Sequence, residues 1–167
     1  MTTNIHLLKL QIRYLLIFFM AALVISGATA MPVQSELNWA LTWLPAGALR
    51  TLFNKVVEAI NFTNQNYPFL MYGYDWLAFA HFVIAVAFIG PYKNPVKNIW
   101  VIEFGIIACA LIIPFALVMG GLRGLPFWWR LIDCSFGVLG FIPLWFCRIK
   151  ILQLEKLLAS EKMNIVF

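Results

Sequence analysis

Four stretches of this chain, residues 10–30, 74–90, 99–119 and 129–147, are strongly apolar and nearly free of charge, and each is close to the roughly twenty residues that carry a helix across a bilayer. No water is available in hydrocarbon, so every backbone N–H and C=O must be satisfied inside the segment, and a helix does this. The expected fold is therefore all-α: an integral membrane four-helix bundle forming a single membrane domain over 1–167. Composition points the same way. With 63% apolar and 11% charged residues, the chain lies far from the usage of a soluble domain.

The first apolar stretch has two readings. Lys9 and Arg13 precede the run Tyr14–Ile25, and Ala28 and Ala30 follow with the spacing of a secretory cleavage site. The same stretch is also long enough to remain as a first spanning helix, which is the favoured expectation. Residues 31–73 are less apolar and break into amphipathic pieces. Ser35 is the expected N-cap of a helix over 36–44 that carries Trp39 and Trp43 one turn apart, and Pro45 and Gly47 end it. In 48–60, Leu49, Leu52, Phe53, Val56 and Ile60 recur at helical spacing opposite Arg50, Asn54, Lys55 and Glu58. One or two external interfacial helices are expected here. Asn61-Phe62-Thr63 matches a glycosylation acceptor, a pattern that short chance matches also produce.

Charge sets the expected orientation. Lys9, Arg13, Lys93, Lys97, Arg148, Lys150, Lys156 and Lys162 fall on one side of four spans, and Arg50, Lys55, Arg123 and Arg130 on the other. The richer side is cytoplasmic by the positive-inside rule, so both termini and the amphipathic tail 148–167 are expected inside, in what reads as a bacterial inner membrane. The formal charge of +5 is thus a topology signal and not a nucleic-acid footprint. Cys109, Cys134 and Cys147 show no C-x-x-C or metal-ligand spacing and read as free, packed thiols.

Ionisable residues inside spans are the best functional pointers in such a chain. The stretch Gly120–Gly137 supplies Arg123, Arg130 and Asp133, and the second span supplies Asp75 and His81. At the helical rise per residue, His81 lies roughly 10 Å and Asp133 roughly 6 Å below the outer boundary, depths compatible with contact. Glu103 lies about one turn inside the opposite face, too far to join them in a metal site. No cofactor is assigned. Two readings of the outer cluster stand side by side. In one, Arg130 and Asp133 pair within their helix and His81 bonds to a neighbouring helix. In the other, Asp75, His81, Arg123, Arg130 and Asp133 line a small pocket for a polar headgroup or a quinone-type ring. Gly105, Gly137 and Gly140 are expected to permit close helix approach.

The order of one span, an outer amphipathic segment and three further spans resembles that of the DoxX-like membrane proteins. The resemblance is one of layout and carries no site residue; it implies association with membrane redox or quinone-linked partners. The expected function is that of a non-enzymatic accessory or assembly subunit, working through the outer segment and the tail with a protein partner or a second copy among membrane lipids. A lipid- or quinone-binding protein and a small oligomeric transporter are the alternatives.

Overall fold

In a computed structural model, which describes the backbone of residues 2–166 and the side chains of 4–161, the chain is all-helical, with no strand among the described residues. The elements are α1 (Thr2–Ala30), α2 (Val33–Trp43), α3 (Ala48–Asn66), α4 (Pro68–Ala87), α5 (Ile89–Lys93), α6 (Ile99–Leu122) and α7 (Phe127–Val166). Four helices, within α1, α4–α5, α6 and α7, are long and apolar enough to cross a membrane. The chain divides into two compact units, residues 22–85 and residues 1–21 with 86–167.

In the larger unit α6 and α7 pack side by side because small residues remove the bulk between them. A Cβ built on Gly137 would stand 2.6 Å from the Cys109 carbonyl oxygen, one on Gly140 2.8 Å from Cys109 Sγ, and one on Gly105 2.8 Å from Leu144 Cδ1. Close backbone approach of this kind brings many atoms of the two helices into dispersion contact. Ile5, Ile12, Leu16 and Phe19 form a buried stripe on α1, and Phe19 packs on Phe88 with ring centroids 4.8 Å apart. The outward faces are the apolar ones: Leu111, Phe115 and Leu139 are each at least 60% exposed. All three cysteines are free thiols, and Cys109 and Cys147 are buried.

The tail departs from expectation. The sequence suggests a separate short helix after residue 147, but α7 runs unbroken from Phe127 to Val166 with Pro143 inside it. Beyond Pro143 no proline or glycine interrupts a run of good helix formers. Its apolar stripe is packed in part: Ile151 and Leu154 are at most 1% exposed, Leu152, Leu157 and Leu158 are half-buried, and Lys150 Nζ donates to Gln11 Oε1 of α1 at 2.8 Å. Lys162, counted among the tail's charges, has a side chain outside the described set.

In the smaller unit α2 and α3 form a hairpin. Gln34 Nε2 donates to Asn61 Oδ1, Asn64 Nδ2 donates to Gln34 Oε1 at 3.1 Å, and Arg50 Nη1 donates to the Leu44 carbonyl across the intervening loop at 2.6 Å. Two local expectations are corrected. Ser35 lies inside α2, whose N-cap position is taken by Pro32. Helix α3 continues past the expected 48–60 to Asn66, so the Asn61 tripeptide is helical and Asn61 Oδ1 accepts from Gln34.

Candidate functional site

The turn from α6 to α7 is built by glycine. Gly124 takes φ +72°, the left-handed conformation favoured by glycine after a helix end. The Leu125 N–H reaches the Gly120 carbonyl at 2.8 Å and the Gly124 N–H the Gly121 carbonyl at 3.0 Å, the paired bonds of a Schellman motif. Pro126 follows, and its carbonyl accepts from the Trp129 N–H at 3.0 Å as α7 begins. This sharp reversal brings Arg130 back against the end of α6.

Arg130 is fitted there tightly. A Cβ on Gly120 would meet its Cγ at 2.7 Å, and one on Gly121 would meet its Nη1 at 3.0 Å. Nη1 donates to the Leu117 carbonyl at 3.2 Å, the guanidinium lies 5.2 Å from the centre of the Phe127 ring, and Nε is buried with no partner among the described residues. The expected pairing of Arg130 with Asp133 does not form: the ion pair found among the described residues joins Arg148 to Glu103. Spacing of three along a helix permits that contact but does not compel it. Here a backbone carbonyl and the space over two glycines hold the guanidinium.

Asp133 and Arg123 instead line one open hollow of about 430 Å³ with Ile112, Phe115, Met119 and Leu125. Its walls are mostly apolar, with one cation and one carboxylate on them. Of the five candidate residues, then, Arg123 and Asp133 share a cavity and Arg130 braces its side. Asp75 and His81 belong to the other unit. Asp75 is exposed. His81 Nδ1 bonds the Leu77 carbonyl of its own helix at 3.0 Å, a correction to the expected bond to a neighbouring helix. Its Cβ lies 3.0 Å from where a Cβ on Gly27 would stand, so His81 occupies the crossing of α1 and α4.

The pair missed in the sequence is Arg148–Glu103, with Nε 2.9 Å from Oε1. A signal existed: Glu103 lies one turn after the start of α6, and Arg148 just past the apolar part of the antiparallel α7, so both reach the same level. No group of three His, Cys, Asp or Glu side chains placed to hold a metal occurs among the described residues.

The arrangement makes Arg130 a packing residue whose aliphatic stem matters most. Arg130→Met, which keeps that stem, is expected to melt close to the wild type, whereas Arg130→Ala loses about 1–3 kcal/mol through the void over Gly120. Thermal unfolding of both variants in detergent checks this; equal losses in both would show that the charge, not the stem, is what α6 needs.

No protein-family profile matches the chain, and neither a curated protein nor a solved structure is found similar to it.

Proposed function

We propose that the chain is an integral membrane protein with four spans, both termini in the cytoplasm and no catalytic centre, acting as an accessory or assembly subunit of a membrane complex through its α2–α3 hairpin. The observation that carries this reading is the hairpin itself. It is fastened internally by Gln34, Asn61, Asn64 and Arg50, yet no residue of α2 or α3 is buried. Trp39 and Trp43 pack edge to face and stand 67% and 74% exposed. A preformed helical pair presenting large aromatics is suited to a bilayer interface or a partner surface.

Native mass spectrometry after gentle extraction from the source membrane tests the proposal. A recurrent second subunit, lost in Trp39→Ser/Trp43→Ser while the chain stays folded, is the expected result; a chain that always emerges with lipid alone would sink it. Orientation is tested separately. A single cysteine at Lys55 in a background without native cysteines should react with a membrane-impermeant maleimide added outside intact cells, and one at Lys93 should react only after lysis. The reverse pattern would invert the topology.

The hollow between α6 and α7 favours one other reading, a lipid- or quinone-binding protein. Arg123 and Asp133 at an apolar-walled opening suit a polar headgroup or ring oxygen, and the DoxX-like layout points to the same ligand class. Loss of a copurifying lipid or quinone in Arg123→Gln/Asp133→Asn would favour it over the subunit reading.

A further inference from the structure

The basic residues that served above only to orient the chain also build a cavity. In the larger unit, Lys9 and Arg13 of α1 and Lys93 of α5 line one space of about 260 Å³ together with Ile12, Tyr92, Asn94, Leu154 and Leu158. No acidic side chain lines it, and none of the three cations forms an ion pair among the described residues. Lys9 and Arg13 are four apart on one helix, a spacing at which like charges disfavour each other unless an anion lies between them.

The walls are held in place before any ligand arrives. Phe88 and Pro91 are fully buried. Asn98 Nδ2 donates to the Gly90 carbonyl at 3.2 Å and to the Asn94 carbonyl at 2.9 Å, and the Lys97 N–H donates to Asn94 Oδ1 at 3.3 Å. These bonds fix the turn that carries Tyr92 and Lys93. The Arg13 guanidinium lies 5.5 Å from the centre of the Tyr92 ring, which orients its fork and leaves its donors available. Ile12 and Leu154, each 1% exposed, form an apolar floor.

We propose that this cavity binds the phosphoryl headgroup of an anionic phospholipid, with Arg13, Lys93 and Lys9 on the phosphate and the acyl chains leaving along apolar helix surface. A guanidinium presents two parallel N–H donors to phosphate oxygens, and two ammonium groups complete the charge. The location fits the source. The cavity lies where α5 turns into α6, at the ends of apolar helices, the level at which headgroups would sit, and basic pockets between spans recognise such lipids. The membrane reading given above supplies only the source of the phosphate, whereas the recognition follows from the three cations.

The test uses the full-length protein, delipidated in neutral detergent and followed by native mass spectrometry on adding phosphatidylglycerol or phosphatidylcholine. One phosphatidylglycerol should be retained in preference to phosphatidylcholine. Its affinity should fall about fivefold for each charge removed, in Arg13→Gln and again in Arg13→Gln/Lys93→Gln. Arg13→Lys should lose less than Arg13→Gln, and Lys55→Gln, an exposed position in the other unit, should change nothing. Circular dichroism of each variant separates lost binding from lost folding. Equal retention of the two lipids, or undiminished phosphatidylglycerol binding in the double variant, would overturn the proposal. Inorganic phosphate that binds the delipidated protein as tightly as phosphatidylglycerol does would overturn the lipid assignment in favour of a free phosphate compound. If the chain proves not to span a membrane but the charge dependence holds, the subunit reading fails and this site stands.

Discussion

Gly137→Val is expected to abolish folded protein, and Gly137→Ala to lower the melting temperature despite alanine's higher helix propensity. The added Cβ would stand 2.6 Å from the backbone oxygen of Cys109 and 3.3 Å from Ile112 Cβ. A carbonyl inside α6 cannot rotate aside as a side chain can, so the helices must separate along their whole contact. Overpacking a close interface costs about 1–3 kcal/mol and more when the obstacle is rigid, against about 1 kcal/mol gained by replacing glycine with alanine in a helix. Two neighbours calibrate the effect. At Gly140 the nearest obstacle is the movable Cys109 Sγ at 2.8 Å, so Gly140→Ala should be milder. Around Gly73 of α4 nothing lies within 4 Å, so Gly73→Ala should be neutral or slightly stabilising. Thermal unfolding in detergent ranks the three, and a Gly137→Val protein that melts like the wild type would mean that α6 and α7 do not meet as described.

The second large effect is expected at Arg148 and Glu103. Their side chains are 34% and 43% exposed in the isolated chain, where a pair in water would contribute at most about 1 kcal/mol. In the proposed bilayer the pair would lie near the boundary of the hydrocarbon, about one turn into α6, and breaking it would leave an uncompensated charge there. Removing one partner of a fully buried pair costs about 3–5 kcal/mol; at this level about 1–3 kcal/mol is expected. The two single variants should differ. An arginine left alone can extend its long stem toward water, but a short glutamate cannot, so Arg148→Leu should be worse than Glu103→Leu. The double variant Glu103→Leu/Arg148→Leu should recover much of the loss, since two apolar groups then replace a matched pair. A double-mutant cycle in lipid nanodiscs measures this, and strictly additive single effects would show that the two residues do not interact there.

These two sites differ in how far they could be read from the chain. Glycines in apolar helices point to close approach, because residues of poor helix propensity need a packing reason there, although Gly73 of α4 lies in open space. Gly105, Gly137 and Gly140 were legible for that reason, although which atoms they approach was not. Glu103 and Arg148 were each visible as charges near the end of a span, but their pairing depends on how α6 and α7 are rotated about their axes. Arg130 and Asp133 show the opposite failure. The three-residue spacing makes a pair possible, and the fold gives the arginine a carbonyl and two glycines instead. The basic cavity stayed hidden because Lys9 and Arg13 lie some eighty residues from Lys93 in a chain of 167, and a topology rule had already given them a role.

By itself the sequence determined the all-helical character, the four stretches long and apolar enough to cross a membrane, the amphipathic pieces between the first and second, and the absence of thiol pairing patterns. Each of these depends on composition or on spacing within one segment, which hydropathy and helical periodicity report directly. The tertiary structure alone decided which charges meet, which glycine faces which carbonyl, that Ile151 and Leu154 of the tail are buried, and that Lys9, Arg13 and Lys93 share one cavity. Those outcomes depend on the relative rotation and axial register of helices. Packing of many side chains together selects these, and no single segment encodes them.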